Sequence, residues 1–218
     1  MDSSGVGHSG AHQQEHRAFK ITISTEEINN LPLKCFDGKI LLVSSHDDVV
    51  KVFKEINKHD VVGFDTETRP SFHKGQHYNV ALLQLALPSK VFLVRLNETG
   101  ITEEMIHFFE NPKILKAGVG VRDDIRIMQK LKRFKAEGFT ELTSLSKEVG
   151  LQVESVKKLT ALLLGFRISK SAQTSNWEAT SLNEKQISYA ATDAWVCLEI
   201  YRKLVALQSR SSSSHDKS

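Results

Sequence analysis

Apolar positions along this chain fall into two alternating patterns, short continuous runs and runs of helical period. The pattern predicts strands interleaved with helices. Short apolar runs bounded by polar residues read as strands at 39–44, 61–65, 80–86, 91–94 and 114–117, with Pro88-Ser89-Lys90 as a hairpin turn between the third and fourth. Helical spacing marks 47–58, with Val50, Phe53 and Ile56 on one face, and then 105–110, 123–131, 142–149 and 159–164. Ser24 followed by Glu27 makes a capping box that opens a short helix. Ser181 and Glu184 repeat that signal, and the last helix is expected to run from there to about residue 205. Strands and helices in alternation imply an α/β domain with helices on both faces of a sheet. The pattern does not fix the strand order.

Outside this region the pattern stops. Residues 1–18 are polar, rich in Gly and Ser, and carry His8, His12 and His16; residues 208–218 are Ser-rich and charged. Neither stretch has enough apolar residues to build a core, so both are expected to be disordered tails around a folded unit at 19–207. The 218 residues are 40% apolar and 25% charged, which fits one soluble globular domain.

Charge adds location rather than sign. Lys plus Arg is 29 against 26 for Asp plus Glu, a net charge of +3 that favours no partner. Eight basic residues nevertheless lie between 113 and 135, against Asp123 and Asp124 alone, and four more lie between 157 and 170 with no acid among them. Such stretches suit a polyanion, and they equally suit solvated helix faces. Cys35 and Cys197 are too few and too far apart for a disulfide framework or a zinc site. No apolar run approaches the ~18 residues of a membrane span, and no basic-then-apolar leader opens the chain, so the expected address is cytoplasmic.

The candidate chemistry lies in carboxylates. Asp65 and Glu67 follow the buried run at 61–64, and side chains two apart on a strand share a side. Two like charges held together raise each other's pKa unless a cation sits between them, and a hard divalent ion with oxygen ligands resolves the conflict. An Asp-x-Glu at a strand end turning into solvent is an equally simple account. Asp124 closes Gly118-Val-Gly-Val-Arg-Asp-Asp124 between a strand and a helix. Acids there also stabilise the helix dipole, so capping competes with function for Asp123 and Asp124. Tyr189 and Asp193 stand one turn apart on a helix whose buried face is marked by Ile187, Ala191, Ala194 and Leu198. A carboxylate beside that face is costly to bury unpaired.

Taken together, three motifs in order resemble the DEDDy family of 3′–5′ exonucleases, which includes RNase D and the Werner syndrome exonuclease domain. They are Phe64-Asp-Thr-Glu67, Gly118-Val-Gly-Val-Arg-Asp-Asp124 and Tyr189-Ala-Ala-Thr-Asp193-Ala, and the likeness spans about 39–204. The stretch Ser175-Asn-Trp177, with Leu182 and Gln186, matches what precedes the third motif in that family. The resemblance implies an RNase H-like fold with a mixed central sheet. It also implies two divalent ions, Mg²⁺ or Mn²⁺, held by Asp65, Glu67, Asp124 and Asp193. Asp65 would bridge the pair, and Glu67 and Asp193 would serve the ion that holds the attacking water. Asp124, rather than Asp123, would help hold the second, and Tyr189 would orient or help deprotonate the water. The implied reaction is hydrolysis of phosphodiesters from DNA or RNA 3′ ends, expected to be single-stranded, releasing nucleoside 5′-monophosphates. Thr66, Phe72, Arg122, Lys170 and Trp177 are candidate nucleic-acid contacts, Phe72 as an aromatic against a terminal base.

Two other readings stay open at this level. A haloacid-dehalogenase-type phosphatase also places an Asp at the end of a buried strand, but it needs Asp where this chain has Glu67 and gives Tyr189 and Asp193 no role. A catalytically weak exonuclease-like binding module would keep the fold and lose the chemistry. The presence of all four acids and the tyrosine argues against it.

Overall fold

A computed structural model describes residues 20–71, 73 and 75–215. In chain order its elements are α1 (Thr25–Asn29), β1 (Lys39–Val43), α2 (His46–Ile56), β2 (Val61–Thr68), β3 (Val80–Leu87), β4 (Lys90–Arg95) and α3 (Leu96–Thr99). There follow α4 (Glu103–Phe109), β5 (Leu115–Gly118), α5 (Val121–Leu131), β6 (Phe139–Glu141), α6 (Leu142–Glu148), α7 (Val156–Leu164) and α8 (Glu184–His215). The strands form one mixed sheet in the order β1-β4-β3-β2-β5-β6. β3 runs antiparallel to β2 and β4, while β1 with β4, β2 with β5 and β5 with β6 pair in parallel.

Helices cover both faces. Val62, Phe64, Leu83, Leu85, Phe92 and Val94 face a core built by Phe53 and Ile56 of α2, Phe108 and Phe109 of α4, and Met128 of α5. The opposite face carries Leu82, Ala86, Val91 and Leu93 against Ala190, Ala191 and Ala194 of α8. Farther along, Val196, Ile200 and Leu204 of α8 pack on Leu142, Leu159 and Phe166. Alternation along β2 decides what goes where. Val62 and Phe64 enter the first core, so Gly63, Asp65 and Glu67 face α8. Gly63 is needed there, because a Cβ at that position would run into the Ala194 carbonyl oxygen.

Several boundaries differ from the sequence reading for identifiable reasons. β2 runs on to Thr68 because its polar second half pairs with the fully buried β3, as far as Thr68 opposite Val80. Val50 is 45% exposed; Val49 takes the buried position in α2. The last helix opens two residues later than the Ser181–Glu184 signal. Asn183 accepts from the Gln186 N–H at 3.0 Å, and the Gln186 side chain accepts from the Asn183 N–H at 3.1 Å, so the reciprocal box is Asn183–Gln186. It also continues to His215, past both the expected end and the expected tail boundary. No Gly or Pro interrupts residues 205–215, and each added residue of a helix already formed gains a hydrogen bond. The short α3 and β6 carried too few apolar positions to show a period. The Ser24–Glu27 box is present as read. Among the described residues no helix is long and apolar enough to cross a membrane. His8, His12, His16 and the rest of the N-terminal tail lie outside the described residues.

Candidate active site

The α8-facing side of β2 and the first third of α8 build one acidic centre. Asp65 and Glu67 point together from β2, and Asp193 meets them from α8. One oxygen from each lies within 4.8 Å of the other two. Asp193 is 5% exposed, and its Oδ1 has no hydrogen-bond partner among the described residues. The small side chains of Ala190, Ala191 and Ala194, all fully buried, let α8 approach closely enough for this meeting.

Asp124 joins from the first turn of α5. Its Oδ1 accepts the Thr66 hydroxyl at 2.7 Å, and the Thr66 backbone N–H donates to Asp65 Oδ1 at 2.9 Å. Thr66 therefore ties the carboxylates of Asp65 and Asp124 together. Asp123 points away and pairs with Arg126 at the exposed surface. Geometry thus distinguishes the two adjacent acids: Asp123 is the solvated helix-start acid and Asp124 the inward one.

The electrostatics follow from crowding. Burial, with the neighbouring charges of Asp193, Asp124 and Glu67, holds the Asp65 carboxyl far above the ordinary carboxylate range. Burial and the charges of Asp193 and Asp124 push Glu67 up to about 9. Asp193 is raised to about 7 by burial, with the Tyr189 hydroxyl and the Lys170 charge pulling the other way. Burial lifts Asp124 to about 6 despite the Thr66 hydroxyl, with Asp123 and Glu141 adding repulsion. Tyr189 rises well above a normal phenol through burial and the nearby charges of Asp193 and Glu67, so it stays protonated. Four carboxyls that cannot all ionise, one with an orphaned buried oxygen, are what a divalent cation with hard oxygen ligands fits.

The remaining candidates separate. Lys170 is exposed and lines a cavity of about 130 Å³ with Lys157, Ser169, Gln173, Tyr189 and Asp193, so it borders the acids. Arg122 is exposed on α5, in the groove beside Gly120 and Glu141. Trp177 is not at the surface: it is fully buried, packs with Leu82, Leu93 and Ala190, and its ring centre lies 6.0 Å from that of Tyr189. The structure therefore corrects its reading as a nucleic-acid contact, because an apolar ring in a chain segment without periodicity gives no sign of which side it faces. Phe72 lies outside the described residues.

Two residues near the site were not singled out in the sequence. Gln84 sits opposite Asp65 across the β2–β3 pair, is fully buried, and neither of its amide atoms has a partner among the described residues. Its signal was a lone amide inside the apolar run Val-Ala-Leu-Leu-Gln-Leu-Ala-Leu. Glu141 accepts from the backbone at the start of α5; nothing in its local sequence pointed there.

Comparison with known proteins bears on the family and the fold. Residues 40–207 match the model of the family described as 3′–5′ exonuclease. The chain is 34% identical over 186 residues to the mouse bifunctional 3′–5′ exonuclease/ATP-dependent helicase WRN, covering 81% of this chain and 13% of that protein. It is 28% identical over 216 residues to a 3′–5′ exonuclease of Arabidopsis thaliana, covering 89% of this chain and 73% of the other. In fold it is similar to the EXO domain of Aedes aegypti Nibbler, with a TM-score of 0.71, 24% identity, and coverage of 81% of this chain and 93% of that one. It is also similar to Escherichia coli RNase D, with a TM-score of 0.73 and 18% identity over 80% of this chain and 46% of that one. The chain thus spans a small part of the mouse protein and most of the plant one.

Proposed function

The chain belongs to the 3′–5′ exonuclease family, DEDDy type, and on that premise we propose that Asp65, Glu67, Asp124, Asp193 and Tyr189 are its catalytic residues. The single observation that carries this reading is the convergence of Asp65, Glu67 and Asp193 within 4.8 Å, with Asp124 tied to Asp65 through Thr66. As a member of that family the protein is a hydrolase acting on nucleic acid. The finer proposal is that it shortens single strands of DNA or RNA from the 3′ end and releases nucleoside 5′-monophosphates.

The four carboxylates would hold two divalent ions, Mg²⁺ or Mn²⁺, which when bound supply charge stabilisation for the attacking and leaving oxygens of the phosphodiester. The side chains of the protein do the rest. Asp65 is both clustered with Glu67 and Asp193 and linked through Thr66 to Asp124, so it would be suited to hold both ions. Tyr189, held as a neutral phenol, is suited to orient a water by hydrogen bonding rather than to carry a phenolate charge. Lys170 and Lys157 border the cavity that contains Asp193, where they can meet the phosphates of a bound strand without reading its bases.

The test is digestion of a 5′-labelled single-stranded DNA and its RNA counterpart by wild type and Asp65→Ala, with Mg²⁺, Mn²⁺ or EDTA. A ladder shortening from the 3′ end, dependent on the ion and reduced at least about a thousandfold in the variant, is expected from the several kcal/mol such a site contributes. Metal-independent cleavage, or full activity in Asp65→Ala, would refute the assignment.

A further inference from the structure

Glu141 is the last residue of β6, and its carboxylate serves the starts of two helices at once. Oε2 accepts the Gly120 N–H at 2.8 Å and the Val121 N–H at 3.2 Å, at the opening of α5. Oε1 accepts the Thr143 N–H at 3.2 Å and the Thr143 hydroxyl at 2.9 Å, at the opening of α6.

α5 needs that help. The first N–H groups of a helix have no partner within it, and a side chain at the position before the helix usually supplies one. Here that position is Gly120, which has no side chain and adopts a left-handed conformation with φ 77° that favours glycine. A carboxylate from a neighbouring strand takes over, and its charge also suits the positive end of the helix. Strand register delivers it: Gly118 at the end of β5 pairs with Glu141 at the end of β6, so the chain leaving β5 turns into α5 beside that side chain.

Asp124 stands in the turn thus fixed. Its side chain is held on one side by Thr66 of β2. Its backbone belongs to the turn whose opening N–H groups Glu141 binds. We propose that Glu141 is a positioning residue: it clamps the start of α5 to the start of α6, and so holds Asp124 in place relative to Asp65. The proposal rests on the reading of Asp124 as a metal-holding residue. Glu141 itself need touch neither ion nor substrate.

Mn²⁺ binding to the full chain, followed by titration calorimetry beside thermal melts and strand digestion, tests it. Glu141→Gln puts an amide nitrogen against N–H donors and should lower Mn²⁺ affinity about 10-fold or more, the order of loss seen when a group that orients a metal ligand is removed. Thr143→Ala loosens only the α6 side and should leave affinity within about twofold. If Glu141→Gln does not fold, Glu141→Asp keeps the charge but is too short to bridge both helices, and carries the same expectation. Unchanged Mn²⁺ affinity in the Glu141 variant overturns the proposal. So does an equal fall in both variants that tracks their melting temperatures. A wild type that binds Mn²⁺ but shortens no strand defeats the functional reading alone; one that binds no Mn²⁺ defeats both.

Discussion

Asp65 and Asp193 come from a strand and a helix far apart in the chain, yet both are buried, and the charge of Asp193 makes Asp65 harder to ionise. The shared burial has a consequence for stability whose sign is fixed. Glu67 at about 9 and Asp193 at about 7 bind protons more tightly in the folded state than ordinary carboxylates do in an unfolded chain. Without a metal, their contribution is therefore fully present below the unfolded values near 4, and it is lost as pH rises toward 9. We expect the melting temperature in EDTA to fall between pH 5 and pH 9, and an Asp65→Asn/Glu67→Gln variant to lose most of that slope. Mg²⁺ or Mn²⁺ at a hundred times its dissociation constant should add about 2.7 kcal/mol, or roughly 5–10 °C, and at a fixed ion concentration the gain should grow with pH. A wild-type slope that is flat or rising in EDTA would contradict the proposed crowding. The three acids that meet were legible as residues, because an Asp-x-Glu after a buried strand and an acid beside a helix's apolar face are conspicuous. Their meeting was implied by the family resemblance alone and not by local pattern, because it depends on which face of β2 turns toward α8. Trp177 was misread for a related reason: an aromatic in an aperiodic segment carries no information on burial.

At the scale of elements, the contact between β2 and α8 decides whether the site exists. Gly63 lets the helix backbone lie against the strand, with the Ala194 carbonyl where a side chain would be. Gly63→Ala must push α8 outward, and Asp193 and Tyr189 with it. We expect a loss of about 1–3 kcal/mol in chemical denaturation, the usual cost of overpacking, together with a fall in activity larger than the stability loss explains. Wild-type activity in a Gly63→Ala protein would show that α8 need not lie so close. Sequence patterning located the long helix and every strand of four or more residues. It missed the second half of β2 because the polar run Asp-Thr-Glu-Thr has no apolar alternation; only pairing with β3 makes it a strand. It placed the start of α8 two residues early because Ser181–Glu184 and Asn183–Gln186 are both acceptable boxes. Only the fold around Asn176, whose carbonyl receives the Gln186 amide at 3.2 Å, selects the second.

Across the whole molecule, a net charge of +3 would not by itself draw a polyanion, but Lys157 and Lys170 stand at the rim of the acidic centre. Single-strand binding should weaken with salt, each neutralised phosphate adding about 0.7 to the slope of log K against log salt. Lys170→Ala is expected to reduce that slope by about 0.7. Lys51→Ala, on α2 across the sheet and already paired with Asp48, should leave it unchanged. Equal slopes for wild type and Lys170→Ala would remove Lys170 from the strand path. The domain class was readable from alternation alone. The order β1-β4-β3-β2-β5-β6 was not, because pairing between distant strands leaves no local mark in the chain.

The order of the elements along the chain, by contrast, sets a schedule. β2 and α5, bearing Asp65, Glu67 and Asp124, leave the ribosome well before α8, which brings Asp193 and Tyr189 and covers the open face of the sheet. On the proposed assignment, a growing chain would carry part of a hydrolytic centre among nucleic acid yet could not act on it. That chemistry would be assembled only when α8 docks, so the fold itself would delay the protein's reactivity until synthesis has passed that point.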